Sequence, residues 1–368
     1  MAPLITETPT PHKANDVPSD KGTNLKKAPG FTPGYTVVEG ETTGYKYEHL
    51  KPCFPDVTWP PLEEVPYSDK GLLGDPEYKD LLAEATDVFD YTPKIGTEIH
   101  GVSLKTLTNA QKNDLARLVA YRGAVFFRGQ EDFEVEDQLE LGRYWGPLHK
   151  HATTSVPQKE GLDEVHVIYH DGNSLDQRAL FTPAHLWHAD VKAPRITYSL
   201  LSDTSAQVTY EIQPPSYTLL KVLHGPPRGG GGDTLWSSQY ATYDVLSSPM
   251  QKYLEGLTAL HSAEEQAIGS RAAGRPVRRE PVVTEHPLVR THPVTGWKSL
   301  FVNPGFVKQI VGVPKMESDA ILTYLNGIVV ATQELHVRFR WEEHTVAIWD
   351  NRICVSLPYF GVRIKSLS

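Results

Sequence analysis

His188-Ala189-Asp190, set in Leu186-Trp187-His188-Ala189-Asp190, constrains this chain more than any other feature. A His-x-Asp pair brings one imidazole and one carboxylate to the same metal ion. With a distant second His it forms the two-His-one-carboxylate face that holds non-haem iron(II) and leaves the remaining positions open. A surface His beside a solvated Asp has the same three letters, so the tripeptide takes its meaning from what accompanies it.

Four motifs follow in order: Gly229-Gly230-Gly231-Gly232-Asp233-Thr234-Leu235-Trp236, Arg290-Thr291-His292-Pro293, Phe301-Val302-Asn303-Pro304-Gly305-Phe306 and Ala347-Ile348-Trp349-Asp350-Asn351-Arg352. The Gly run alone suggests a phosphate loop, but it lacks the following Lys-Ser/Thr and the strand-to-helix setting of a nucleotide cradle. In this order and at these spacings the motifs closely resemble the taurine/sulfonate dioxygenase family of iron(II)- and 2-oxoglutarate-dependent oxygenases, from roughly Tyr91 to Arg352.

The resemblance implies a mainly β fold with outer helices, built on a double-stranded β-helix core of the jelly-roll, cupin-like kind. It implies iron(II) held by His188 and Asp190, with 2-oxoglutarate and O2 as co-substrates and succinate and CO2 as products. Thr234 falls where the family places a hydroxyl that assists the arginine on the far carboxylate of 2-oxoglutarate; read alone, it is a strand-starting Thr after a Gly turn. His151, in His149-Lys150-His151, falls where sulfonate oxygenases hold the anionic group of the substrate; read alone, it is a solvated surface His. His166, His170, His185 and His261 have no partner spacing and are expected to be structural. The implied activity is hydroxylation of a small anionic substrate such as a taurine-like sulfonate. Two alternatives stay open: a tailoring oxygenase acting on an amino acid or secondary metabolite, and a catalytically inactive relative.

Composition narrows the setting. The 368 residues bury a large core, and one catalytic domain with decorations is expected. A formal charge of −9 with no basic cluster argues against nucleic acid as a partner. Cys53 and Cys354 imply no disulfide framework, and the N-terminus lacks a signal-peptide pattern, so the cytoplasm is the expected compartment. No run approaches the ~18 apolar residues of a membrane span. A homo-oligomer is left open.

Residues 1–30 are rich in Pro, Thr, Lys and Asp and are expected to be a disordered tail. Residues 31–76 read as an extended segment wrapped over a dioxygenase domain at 77–352. Within that domain Leu81–Ala85, Asn109–Tyr121 with Asn109 as N-cap, Glu134–Tyr144, Gln251–His261 and Glu317–Leu335 read as helices. Gly123–Arg128, Glu164–Tyr169, Ser216–Leu223, Val289–Thr291, Leu300–Val302 and Thr345–Trp349 read as strands.

Two departures from the family pattern stand out. The second metal His belongs four residues beyond Arg352, and the 2-oxoglutarate arginine about eleven residues after that. Ser356 takes the first place, where a hydroxyl is a poor iron(II) ligand, and Arg363 comes too early for the second. His344 is the first substitute ligand to consider. In relatives the His-x-Asp runs straight into a Val-Thr-Tyr-Glu-like segment, whereas Val191 to Gln207 intervene here before Val208-Thr209-Tyr210-Glu211. That stretch begins and ends with residues codable as intron ends, and Val355-Ser356 is codable as a 5′ splice signal. The atypical insertion at 191–207 and the atypical C-terminus at 353–368 are therefore expected to be translated introns. The alternative is a genuine lineage-specific loop and a truncated end.

Overall fold

The computed structural model describes residues 45–168, 198–201, 208–225 and 232–358. In chain order the strands are β1 (Pro52–Cys53), β2 (Asp87–Asp90), β3 (Thr97–His100), β4 (Ala124–Phe127), β5 (Val156–Pro157), β6 (His166–Ile168), β7 (Tyr198–Leu201), β8 (Tyr217–His224) and β9 (Thr234–Ser238). They continue as β10 (Thr258–Ser262), β11 (Val283–Pro287), β12 (Val289–Thr291), β13 (Lys298–Leu300), β14 (Val307–Ile310), β15 (His336–Phe339), β16 (Val346–Asp350) and β17 (Cys354–Pro358). The helices are α1 (Lys79–Leu82), α2 (Asn109–Arg122), α3 (Val135–Trp145), α4 (Gln239–Asp244), α5 (Ser248–Leu254), α6 (Glu264–Ala272) and α7 (Lys315–Ala331).

Strands without a polar face must be covered on both sides. β4 and β16 are such strands, buried at every position, and they pair at the centre of a seven-stranded sheet ordered β2-β3-β4-β16-β8-β7-β6. Alternation sorts their side chains. Val125, Phe127, Val346 and Ile348 face a core shared with Leu115 and Val119 of α2. Ala124, Phe126, Ala347 and Trp349 face an interior shared with Trp236 of β9 and Phe339 of β15. That interior is closed by the three-stranded sheet β15-β9-β17. A third core gathers Tyr243, Leu254, Ile310 and Leu325 around the β11-β10-β14 sheet and the β12-β13 pair.

The expected jelly roll therefore needs correction in its details. Helices are numerous, the described strands form five separate hydrogen-bonded sheets, and no closed barrel is found among the described residues. The expected helix at Gln251–His261 ends at Leu254, and β10 begins at Thr258 once Gly256 has broken it. The N-cap of α2 is Thr108 rather than Asn109: its Oγ1 accepts from Gln111 N, while Gln111 Oε1 accepts from Thr108 N, a capping box. Gly123 ends α2 at φ 76°, where a Cβ would meet Cys354 Sγ at 2.9 Å. Four residues of the 191–207 stretch form β7, which pairs antiparallel with both β6 and β8. The expected tail at 1–30 lies outside the described residues. Among those described, no helix is long and apolar enough to cross a membrane.

On β8, Lys221 is buried and points to the helix side of the sheet, where its Nζ donates to Phe133 O at 2.8 Å and Glu131 O at 3.2 Å. Burial pushes its pKa from the ordinary 10.5 down to about 8. Between those values the unfolded chain holds the extra proton, so this group's contribution to stability rises as pH climbs through the window. The unfolding free energy of the native chain relative to Lys221→Met is expected to rise by roughly 1–3 kcal/mol between pH about 8 and about 10.5. Urea titrations at both ends would measure it, and a flat difference would show that no charge is buried there.

Candidate functional site

Gly146 ends α3 and opens the loop that carries His149 and His151. His151 is buried, and its Nδ1 accepts two backbone hydrogen bonds, from Thr153 N at 3.1 Å and Thr154 N at 3.2 Å. An acceptor at Nδ1 assigns the proton of the neutral ring to Nε2, so the donor of this imidazole is the buried Nε2–H. The sequence reading of a solvated surface His is thus replaced by a ring packed 5.9 Å from His149 and 6.4 Å from His166. All three histidines line a cavity of about 600 Å³ whose walls also include Tyr67, Trp145 and Tyr217.

Behind the loop stands Glu211, also buried. Its Oε1 accepts from Arg279 Nη1 at 3.1 Å and lies 3.1 Å from His149 Nε2, while its carbonyl lies 2.9 Å from His286 Nε2. The neighbouring Thr209 Oγ1 is 2.8 Å from Nδ1 of His261, whose pKa burial pushes down to about 3. Thr209 and Glu211 thus anchor the segment that follows 191–207. His188, Asp190, His170 and His185 lie outside the described residues.

Thr234 opens β9, buried, with its Oγ1 accepting from Trp341 Nε1 at 2.9 Å. Its strand pairs with β17 in a register that sets Ser356 opposite Trp236 and Cys354 opposite Ser238. Directly opposed residues share a face, and so do residues two apart along a strand. Ser356 therefore faces the same interior as Trp236 and Thr234. Its hydroxyl is buried with no hydrogen-bond partner among the described residues. No described contact joins His151 to Thr234. The charged groups around His344 are Lys221, Glu131, Glu343 and Lys46, a setting separate from that of Ser356.

Trp349-Asp350-Asn351-Arg352 is a buried brace. Arg352 Nε and Nη2 donate to Asp350 at 2.8 and 2.5 Å, and His292 Nε2 lies 2.9 Å from its Oδ2. Arg352 Nη1 reaches Asp69 at 2.7 Å, and Asp69 also accepts from Tyr217 OH at 2.8 Å. Asn351 accepts from Trp349 Nε1 and donates to Thr218 Oγ1. Burial opposes ionisation of Asp350, but Arg352 and His292 outweigh it and hold the carboxyl well below its ordinary range.

Comparison with known proteins decides the family. The sequence model of the taurine catabolism dioxygenase TauD, TfdA family matches residues 87–355. The chain belongs to this family of 2-oxoglutarate-dependent dioxygenases. An alpha-ketoglutarate-dependent sulfonate dioxygenase of Saccharomyces cerevisiae is 35% identical, covering 96% of this chain and 88% of the relative. A Schizosaccharomyces pombe protein, provisionally given the same name, is 43% identical over 84% of this chain and 75% of its own length. A crystal structure of a taurine dioxygenase from Burkholderia xenovorans matches with a TM-score of 0.56 and 31% identity, covering 75% of this chain and 83% of that one. The fold is TauD-like.

Set against the family's iron chemistry, the described residues do not complete a ligand set. The proposed ligands His188 and Asp190 lie outside them, and no group of three or more His, Cys, Asp or Glu able to hold a metal occurs among the described residues. Sequence reasoning also missed Arg278, Arg279 and Trp341.

Asp350→Asn is expected to cost about 3–5 kcal/mol, because it leaves Arg352 partly uncompensated in the interior. The carboxylate's folded pKa lies below the ordinary 3.8, so its contribution is full above that value and lost as pH falls through and below it. Urea unfolding at neutral pH tests the magnitude. A loss under about 1 kcal/mol would reduce the brace to the level of a surface ion pair.

Proposed function

We propose that this protein is a 2-oxoglutarate-dependent dioxygenase of sulfonates and that the anionic oxygens of its substrate meet Nε2–H of His151. The observation that carries the reading is the double backbone donation to Nδ1, which makes Nε2–H the donor of a buried imidazole that lines the cavity. The sulfonate dioxygenase name of the Saccharomyces cerevisiae relative supports the same class. His188 and Asp190 are the proposed metal ligands. Thr234, steadied by Trp341, is the proposed helper for 2-oxoglutarate. In this family O2 is the oxidant, and bound iron(II) with 2-oxoglutarate as co-reductant would supply the chemistry that activates it. The contribution of the His151 cavity is to bind and orient the anion.

A charge-assisted hydrogen bond of this kind is worth roughly 1.5–3 kcal/mol. His151→Ala is therefore expected to weaken binding of taurine or a short alkylsulfonate by about 10- to 100-fold. Isothermal titration calorimetry on the folded variant would measure it. Equal affinities for the native chain and the variant would remove His151 from substrate binding.

Ser356 favours a second reading, in which the chain as written binds ligand without turnover. We propose that its two departures are translated introns. The chain as written is then expected to keep well under one iron per molecule through anaerobic gel filtration. A chain encoded by a message that joins Asp190 to Val208, and continues past Cys354 into a His-bearing exon, should keep about one. Equal, stoichiometric retention by both would mean that other residues complete the site.

A further inference from the structure

Between α6 and β11 the chain places two arginines side by side, and they are treated differently. Arg279 is paired: its Nη1 donates to Glu211, its Nη2 to Lys150 O at 3.0 Å and its Nε to Pro60 O at 3.1 Å. Arg278 is wholly buried and has no acidic hydrogen-bond partner among the described residues. Its Nη2 donates to His151 O at 3.1 Å and to Thr154 O, and its guanidinium lies 4.6 Å over the Trp59 ring. Nε and Nη1 have no hydrogen-bond partner among the described residues. Asp163, whose charge acts on it, is itself bonded to Lys150 Nζ at 3.0 Å.

Arg278 also grips the loop through its backbone. Its N–H donates to Ala152 O at 2.9 Å, and the same peptide's N–H, that of Thr153, donates to His151 Nδ1. The peptide is polarised at one end by Arg278 and delivers its donor to the imidazole at the other. The two side-chain bonds hold the carbonyls at the start and end of the His151–Thr154 turn. A neutral amide has enough donors for those two carbonyls and avoids burying a charge, which is costly when uncompensated. Burial lowers the pKa of Arg278 to about 10, which still leaves it cationic at neutral pH.

We propose that Arg278 is a positioning and specificity residue for the anion site at His151, fixing the turn and supplying a permanent positive charge that selects an anionic over a neutral ligand. This rests on the reading of His151 as the substrate's anion-binding residue.

The test compares the native chain with Arg278→Gln and Arg278→Lys, using 1-hexanesulfonate and uncharged 1-hexanol as probes in calorimetry and reading amide exchange at Thr153 and Thr154 without ligand. Arg278→Gln is expected to weaken hexanesulfonate by about tenfold or more, leave hexanol unchanged and speed exchange at both amides by about tenfold. Arg278→Lys keeps the charge and a donor and should stay within about threefold of the native chain in both readouts. Native sulfonate affinity in Arg278→Gln overturns the specificity role, and native exchange rates overturn the positioning role. If Arg278→Gln does not fold, a folded Arg278→Lys with a tenfold loss overturns the proposal as well. Failure of the native chain itself to bind hexanesulfonate sinks the His151 reading and with it the specificity role, while the exchange rates still decide positioning.

Discussion

The buried carboxylate of Asp350 is the constraint on which the rest of the structure hangs. It sits at the end of the central strand β16, held by Arg352 from its own chain turn and by His292 from the turn after β12. Arg352 carries the linkage onward to Asp69, and Asp69 to Tyr217 at the start of β8. One ion cluster thus fixes the middle of the seven-stranded sheet, the β12-β13 pair and the segment preceding the domain. Buried charges of this kind add little net stability when complete but are expensive to break, so the cluster specifies an arrangement more than it strengthens one.

From that frame the candidate site follows in two steps. Tyr217 becomes part of the cavity wall, and the chain before β8 is set so that Glu211 meets Arg279 and His149. The loop carrying His151 is then pinned by hydrogen bonds to its carbonyls, which frees its amides to address the imidazole. On the other side of the main sheet's inner face, β17 fills its place beside β9 with a serine whose hydroxyl has no partner among the described residues.

Much of this was legible in the sequence because it depends on local pattern. The apolar run at Ala124–Phe127 and the strand at Val346–Asp350 announce themselves as buried β structure, and Trp349-Asp350-Asn351-Arg352 and the Thr234 motif mark the family. The capping box at Thr108 was equally readable, since Thr-x-x-Gln precedes the helix, but the adjacent Asn109 drew the assignment. Long-range partners were not legible. That Arg278 and Arg279 grip a loop more than a hundred residues earlier depends on sheet packing, and no spacing encodes it. His151 was picked by position in a motif, yet its burial and its paired amide donors come only from the folded turn. The short β10 after α5 escaped because a helical period and a brief buried strand look alike over so few residues.

The most direct test is a crystal structure of the protein soaked with 1-hexanesulfonate. The account predicts a sulfonate oxygen about 3 Å from His151 Nε2, with the ligand lying in the cavity beside Trp145 and Tyr217. Sulfonate density elsewhere, with that cavity empty and His151 turned away, would contradict it.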